Sequence, residues 1–159
     1  MIPGATPTKI VSVTPTLTVH ATYVANDYVG ESGVPMTFAS VVDKVGGSGK
    51  VISALIVDYA VQHIVGELWL FDTTFAPPAD SAAWTVSDAI AETCIGVINF
   101  PAASYYASAA NEVCRGTPAA PLAFQCGSAS KDLYGAFVTR GTPAYASGDI
   151  TFRLYVQQD

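Results

Sequence analysis

A chain of 159 residues is long enough to form one domain with a full hydrophobic core, without metals or disulfides. Hydrophobic residues make up 50% of it and charged residues only 13%, which favours an oligomer or larger assembly over a monomer that exposes its apolar surface. Thirteen acidic residues outnumber seven basic ones that are scattered singly, and this argues against nucleic acid as a partner.

The first nine residues are predicted to form an extended N-terminal arm, followed by a single domain over residues 10–159. The arm is rich in Pro and Thr and has no periodic pattern. It has neither a basic n-region nor a continuous apolar h-region, and no later apolar run has the length of a membrane span, so no Sec-type signal and no membrane partner are expected. The arm is interpreted as a contact with neighbouring subunits or, alternatively, as a frayed terminus.

Alternating apolar and polar residues predict β-strands along the rest of the chain. Residues 16–24 place Leu17, Val19, Ala21 and Tyr23 on one face of a half-buried strand. Residues 50–59 are apolar on both faces, which predicts a central or subunit-facing strand. The short connection at residues 59–62 predicts that this strand forms a hairpin with the segment at 63–72. Further strands are predicted at residues 36–42, 94–100, 111–115, 122–126, 132–140 and 149–158.

A single short helix is predicted at residues 87–93, with Ser87 as N-cap and Asp88 at the positive end of the helix dipole. Ten prolines and thirteen glycines separate the remaining segments. Roughly eight or nine short strands in one domain predict an all-β fold, an antiparallel β-sandwich, for which the jelly roll is the favoured arrangement.

The stretch DKVGGSGKVIS, residues 43–53, invites comparison with the phosphate-binding P-loop. Lys44 stands where the first P-loop glycine is required, and Val51 stands where the magnesium-binding hydroxyl is required. A strand pattern follows Lys50, whereas a P-loop is followed by a helix. The glycines are therefore interpreted as a turn between strands, and no nucleotide or other cofactor is expected.

No residue set in the chain predicts catalysis. Ser48 lacks the final glycine of a nucleophile elbow, because Lys50 takes that position. His20 and His63 are interpreted as surface or interface histidines, since neither has a neighbouring nucleophile in the sequence. Asp58 and Glu67 fall at non-equivalent heights of the predicted hairpin, so they do not form a glycosidase pair. No enzyme activity, catalytic residue or small-molecule substrate is expected.

Cysteine and aromatic residues leave one alternative function open. Cys94, Cys114 and Cys126 lack C-x-x-C spacing, which predicts buried free thiols and no metal site. Aromatic residues are numerous enough to form a sugar-stacking platform, although cores and protein interfaces are their commoner place. They include Tyr23, Tyr28, Tyr59, Trp69, Trp84, Tyr105, Tyr106, Tyr145 and Tyr155. A carbohydrate-binding or adhesion module is therefore the alternative function.

Three motifs in the C-terminal two-thirds of the chain carry a resemblance. They are the Leu-Phe-Asp sequence at residues 70–72, the Ser-Asp-Ala sequence at 87–89 and the run from Leu133 to Leu154, which contains Arg-Gly-Thr-Pro. In these motifs the chain resembles small proteins encoded beside the major capsid gene of tailed bacteriophages. The resemblance implies a capsid decoration or cement protein, a homotrimer that binds the major capsid protein on the outer surface of a virion assembled in the host cytoplasm.

The predicted capsid contacts lie in the arm and in the long loop at residues 73–88, which is too apolar to be a free solvent loop. This loop is alternatively a lid over its own sandwich. With a net charge of -6 and isolated basic residues, little salt dependence of attachment is expected. The predicted interface residues are Ile2, Pro3, Thr8, Lys9, Phe75 and Trp84.

Overall fold

The computed structural model describes residues 7–17 and 21–159. In these residues the chain is built from short strands, a one-turn helix α1 (Asp88–Ala91) and a 3₁₀ turn (Ala102–Ser104). The strands are β1 (Thr8–Val13), β2 (Ala21–Thr22), β3 (Tyr28–Val29), β4 (Met36–Phe38), β5 (Ser48–Asp58), β6 (Gly66–Phe71), β7 (Cys94–Phe100), β8 (Tyr105–Ala107), β9 (Glu112–Gly116), β10 (Leu122–Gln125), β11 (Leu133–Thr139), β12 (Ala144–Tyr145) and β13 (Ile150–Gln158).

Two antiparallel sheets pack face to face, and the predicted all-β sandwich is confirmed. The six-stranded sheet has the order β1-β13-β5-β9-β8, with β10 also paired to β5. The five-stranded sheet has the order β3-β11-β6-β7, with β4 also paired to β11. Eight strands form the main paths of the two sheets: β1, β3, β5, β6, β7, β9, β11 and β13. When these eight are numbered 1 to 8 along the chain, the two strand orders are 1-8-3-6 and 2-7-4-5. This interleaving of first and last strands is the jelly-roll arrangement.

The core lies between the two sheets and is filled by the inward side chains of alternate strand positions. In β13 every second residue is buried, as its pattern predicts, while the residues between them are half-exposed. Phe137 of β11 lies at the centre of the core, with its ring centroid 5.0 Å from that of Phe152 and 6.1 Å from that of Phe100. Aromatic rings from both sheets thus fix the distance between them.

The long strand β5 is central, as predicted, because it pairs with β13, β9 and β10. The predicted hairpin with the next strand is wrong, since β5 belongs to the six-stranded sheet and β6 to the five-stranded sheet. Asp58 accepts hydrogen bonds from the backbone N–H groups of Ala60 and Gln62, and Val61 and His63 adopt positive φ values of 53° and 56°. This capped turn directs the chain out of one sheet and across to the other. Asp58 and Glu67 therefore lie in different sheets.

The predicted arm ends too late, because Thr8 and Lys9 belong to strand β1. β1 pairs along its whole length with β13, from Thr8 opposite Gln157 to Val13 opposite Phe152. Its sequence, TKIVSV, has only a weak alternation, since Lys9 occupies an inward position and Ile10 is 52% exposed. A weak pattern of this kind is typical of an edge strand, which has a partner on one side only.

Among the described residues of the strand predicted at 16–24, Ala21–Thr22 forms a strand, while Thr16, Leu17, Tyr23 and Val24 do not. Leu17 and Tyr23 are buried, as predicted for that face. Val19 and His20 lie outside the described residues. The predicted helix is confirmed as α1, with the Ser87 hydroxyl accepting a hydrogen bond from the backbone N–H of Ile90.

The GGSG stretch forms the turn and first residues of β5, as predicted. Gly46 has a φ of +68°, which favours glycine, and the backbone N–H of Gly47 donates to the carbonyl of Lys44. Gly49 already belongs to β5, where an added Cβ would lie 2.5 Å from the Gln157 carbonyl oxygen. The last glycine is therefore required by close strand packing. Within the described part of the chain, neither helical segment is long and apolar enough to cross a bilayer.

Candidate functional site

The predicted contact residues of the long loop pack against the domain itself. Phe75 is only 8% exposed, and its ring lies 4.5 Å from that of Phe71 on the outer face of the five-stranded sheet. The ring of Trp84 lies 5.8 Å from that of Trp69 and 6.0 Å from that of Tyr28. The loop is therefore a lid over its own domain, which was the alternative interpretation. The lid covers the outer face of the five-stranded sheet and not the core between the two sheets.

Hydrogen bonds hold this lid, residues 73–87, along the edge of the sheet. The backbone N–H of Tyr28 donates to the Ala82 carbonyl at 2.8 Å, and the N–H of Trp84 donates to the Asn26 carbonyl at 2.8 Å. The buried hydroxyl of Tyr23 donates to the Asp80 carboxylate at 2.8 Å. The lid is therefore bonded into the fold through both its backbone and its side chains.

The other predicted contact residues are not gathered into one site with the loop. Thr8 and Lys9 lie in β1, where the Lys9 ammonium pairs with the Asp43 carboxylate at 2.5 Å and donates to the Ser40 carbonyl at 3.0 Å. Ile2 and Pro3 lie outside the described residues.

The outer face of the six-stranded sheet presents a different surface from the covered sheet. Its outward side chains are mostly aliphatic, aromatic and cationic, and apart from the buried Ser53 they are half-exposed or exposed within the described residues. We call this surface the open face and define it by Ile10 on β1, Lys50, Leu55 and Val57 on β5, Tyr106 on β8, Val113 and Arg115 on β9, and Arg153 and Tyr155 on β13. Tyrosine and arginine among aliphatic residues are the composition of protein interface centres.

Cross-strand register determines how the open face is arranged. Leu55 lies between Arg153 on one neighbouring strand and Arg115 on the other. The guanidinium carbon of Arg115 lies 4.4 Å from the centroid of the Tyr155 ring, and that of Arg153 lies 6.0 Å from it. Two cations therefore flank one aromatic ring at the centre of the face.

A groove of about 490 Å³ opens beside this centre, lined by Leu55, Ala103, Ser104, Tyr106, Val113 and Arg115. The Tyr106 side chain is 78% exposed at its rim. The groove combines an exposed aromatic ring with a hydroxyl and a guanidinium group, which are able to recognise a polar partner.

A second cluster of polar residues holds the turn between β5 and β6. Glu112 is buried opposite Asp58 in the pairing of β9 with β5. Its carboxylate accepts hydrogen bonds from the backbone N–H of His63 and lies 3.0 Å from the His63 Nδ1. The His63 Nε2 lies 2.8 Å from the Ala102 carbonyl oxygen. Both ring nitrogens thus face acceptors, an arrangement that suits the doubly protonated imidazolium.

This arrangement shifts the pKa values of two groups in the cluster. The Ala102 carbonyl and, after it, the Glu112 carboxylate raise the pKa of His63 above its ordinary value. Burial raises the pKa of the Asp58 carboxyl, against the opposing effect of the Tyr145 hydroxyl and two backbone N–H groups. The cluster is a structural lock on the turn, with His63 as its surface residue and a 49% exposed side chain.

Stability is expected to fall as the pH rises through the neutral range, because the folded protein holds the His63 proton more tightly than the unfolded chain. The contribution is present below the ordinary histidine pKa of about 6.5 and is lost above the raised value. It is less than about 1 kcal/mol, since the half-exposed ring is screened by water. Denaturant unfolding between about pH 5 and pH 9 measures it.

The matched control for this pH dependence is His63→Asn, because asparagine tolerates the positive φ of this position. The neutral part of the pH profile is expected to flatten in this variant. The raised pKa of Asp58 acts in the same direction but begins in the acid range, so it persists in the variant. An unchanged neutral slope in His63→Asn would assign the titration to another group.

Two of the three cysteines are buried free thiols, as predicted, while Cys94 is partly buried. Burial raises the pKa of Cys114 and of Cys126 to about 11, so both thiols are protonated at neutral pH. In the part of the chain that the structure describes, no group of three or more His, Cys, Asp or Glu side chains is arranged to hold a metal ion.

The open face was missed by the sequence interpretation, although part of its signal is present in β13. There Arg153 and Tyr155 alternate with buried apolar residues, which places both on one face. Arg115 and Tyr106 join them only through the pairing of β5, β9 and β8. Comparison with known proteins adds no further assignment, since no family model, curated protein or solved structure matches the chain.

Proposed function

We propose that this chain is a virion structural protein, a capsid decoration or cement protein that binds the outer surface of an assembled capsid as a homotrimer and stabilises it. The observation that supports this most is the difference between the two outer faces of the sandwich. The lid covers one face, and the other carries exposed apolar, aromatic and arginine side chains. A face of this composition favours a large protein partner.

The partners in this proposal are the major capsid protein and further copies of this chain, located on the outside of the virion. The mechanism is burial of surface across several capsid subunits at once. Expansion or dissociation of the shell must then break many contacts together, so modest contacts per copy combine into a large effect. The resemblance to proteins encoded beside phage capsid genes rests on separate residues, the motifs at 70–72, 87–89 and 133–154.

We place the proposed capsid contact on the open face. The apolar strand at residues 51–57, or the segment at 63–72 that the sequence predicts to pair with it, is a candidate for the three-fold contact. Val51 and Ile56 are buried inside the sandwich, however, and Ile52, Leu55 and Val57 are only partly exposed. Packing the same strands around a three-fold axis would bring copies of Arg115 and Arg153 together, which costs electrostatic energy. The trimer contact is therefore assigned to another surface. The arm, with Ile2 and Pro3, remains a proposed second capsid contact.

Mass spectrometry of purified virions tests the proposal directly. We expect this chain at a copy number comparable to that of the major capsid protein. Recombinant protein added to capsids that lack it is expected to bind and to raise their melting temperature, and light scattering is expected to give a trimer. Absence from virions, together with no binding to capsids, would contradict the proposal.

Deletion of residues 1–6 tests the arm separately, because it leaves the pairing of Thr8 with Gln157 intact. We expect the deletion to lower capsid occupancy while the isolated domain melts at an unchanged temperature. If occupancy is unchanged, the arm is not a contact.

A carbohydrate-binding role is the second candidate, and the groove beside Tyr106 favours it. An exposed tyrosine ring next to Ser104 and Arg115 resembles a sugar-stacking site. Binding to a panel of glycans, lost in Tyr106→Ala but retained by a capsid-free preparation of the unmodified protein, would support this function.

A further inference from the structure

We infer that the open face receives an acidic protein surface, one that presents carboxylates to Arg115 and Arg153. This inference rests on the proposed function, in which the capsid supplies that surface. The inference adds the chemistry of the partner surface. The open face carries positive charges, although the net charge of the chain is -6.

The fold gathers cations that are far apart in the sequence. Lys50, Arg115 and Arg153 lie on β5, β9 and β13, and all three occupy outward positions of the six-stranded sheet. They are three of the seven basic residues in a chain with thirteen acidic ones. As far as the structure describes these strands, no outward position of the sheet carries a carboxylate.

Carboxylates lie only beyond the two ends of this surface. Asp159 follows β13 and accepts a hydrogen bond from the Ser48 hydroxyl at 2.7 Å. Asp149 precedes β13 and accepts one from the backbone N–H of Ala146 at 2.7 Å. The central cations are therefore flanked by aliphatic, aromatic and hydroxyl groups, and Ser12 lies opposite Arg153 while Ser53 accepts a hydrogen bond from Arg115.

Arg115 is held in place for binding before any partner arrives. Its guanidinium group donates a hydrogen bond to the Ser53 hydroxyl at 2.9 Å and lies over the Tyr155 ring. The hydrogen bond uses only one of its N–H groups. A positioned guanidinium loses less side-chain entropy on binding, and its planar geometry matches a carboxylate.

Electrostatics favours an anion at this position. Arg115 and Arg153 approach the same ring, so their like charges repel each other, and a carboxylate between them relieves that repulsion. Two other basic residues already have acidic partners: Lys9 pairs with Asp43, and Arg140 pairs with Glu67. Within the described residues, neither Arg115 nor Arg153 forms an ion pair with a carboxylate.

The remaining side chains favour a protein over an acidic glycan as the source of the carboxylates. Leu55, Val57 and Val113 form an apolar strip between and beside the two arginines. Aliphatic side chains of a protein bury apolar area against the whole strip, whereas a glycan finds polar partners beside it, in Ser104 and Arg115, and leaves hydroxyls without partners over Leu55, Val57 and Val113. An acidic glycan is therefore treated as an outcome of the test.

Charge-reversal variants test the inference on capsids. Arg115→Glu and Arg153→Glu are each expected to lower capsid affinity by about tenfold or more, while Lys44→Glu, the same charge change in an exposed turn, has little effect. Arg115→Gln keeps a donor for Ser53 and removes the charge, so it separates loss of charge from loss of fold. The affinity of the unmodified protein is expected to fall as NaCl rises from about 50 to about 500 mM, and this dependence weakens in the variants.

A probe independent of capsids separates this inference from the proposed function. Poly-L-glutamate is added to the isotope-labelled protein, with hyaluronate and poly-L-lysine as comparisons, and backbone NMR shifts are followed. We expect poly-L-glutamate to perturb the residues around Arg115, Arg153 and Tyr155, and to lose this effect in Arg115→Glu.

Each outcome of these experiments tests either the inference of an acidic partner surface or the proposed decoration function. Poly-L-glutamate binding at the open face without capsid binding would support the inference and contradict the decoration role. Capsid binding that neither salt nor charge reversal weakens, with no response to poly-L-glutamate, would overturn the inference and leave that role standing. A response to hyaluronate alone would overturn the inference in favour of an acidic glycan.

Discussion

Replacing Asp58 with alanine is expected to lower the free energy of unfolding by about 3 to 5 kcal/mol. The Asp58 carboxylate is buried and accepts three hydrogen bonds, from the Tyr145 hydroxyl at 2.7 Å and from the N–H groups of Ala60 and Gln62 at 2.9 Å. Alanine leaves these donors without their acceptor, two of them in the turn that carries the chain between sheets. Urea unfolding followed by circular dichroism measures the change.

Two matched variants provide controls for Asp58→Ala. One removes a single donor to the Asp58 carboxylate, and the other makes the same substitution at an exposed position. Tyr145→Phe removes one of the three donors and is expected to cost about 1 to 2 kcal/mol. Asp88→Ala makes the same substitution at an exposed helix end and is expected to cost less than about 1 kcal/mol. A loss in Asp58→Ala no larger than that in Asp88→Ala would show that the crossing turn holds without its buried acceptor.

Strands with long, strongly apolar sequences were predictable, whereas the path of the chain between them was not. β13 and β5 carry long apolar patterns, and their existence and central place follow from these patterns. The connection after β5 has a length that suits a hairpin, yet it crosses to the other sheet. What decides this is the Asp58 side chain capping backbone N–H groups of the turn, a contact that residue spacing does not encode.

Edge strands with weak alternation were also not predictable from the sequence. β1 was missed because Lys9 interrupts its inward face, and its stability comes from pairing with β13.

Glu112 carries a signal that sequence reasoning did not use. It has the same strand parity as the buried Cys114, so its carboxylate points inward and requires a partner, which the structure provides in His63.

The candidate site depends on cross-strand register, and this changes one expectation drawn from composition. Basic residues scattered along the chain predict little salt dependence of attachment. In the fold, Lys50, Arg115 and Arg153 share one face, because β5 lies between β13 and β9. Attachment through this face is therefore expected to weaken with salt.

The second large effect is expected at Trp84, where alanine should lower the free energy of unfolding by about 2 to 4 kcal/mol. The half-buried Trp84 ring packs against Tyr28, Trp69 and Phe75, with centroid distances of 5.8 to 6.3 Å. Removing it separates the lid from the outer face of the five-stranded sheet. Thermal and urea unfolding measure the loss, and proteolysis within residues 73–87 reports whether the lid has opened.

Trp84→Phe distinguishes packing of the lid from a role in capsid contact. Phenylalanine keeps an aromatic ring at the centre of the cluster and removes the indole Nε1, a buried nitrogen without a hydrogen-bond partner in the described residues. The loss of contact area is thus offset by removal of an unsatisfied donor, and the net change is expected to stay below about 1 kcal/mol. Because the lid packs on its own sheet, capsid occupancy of Trp84→Phe should equal that of the unmodified protein. A variant that is fully stable but fails to occupy capsids would return Trp84 to the contact surface and would move the attachment site from the open face to the lid.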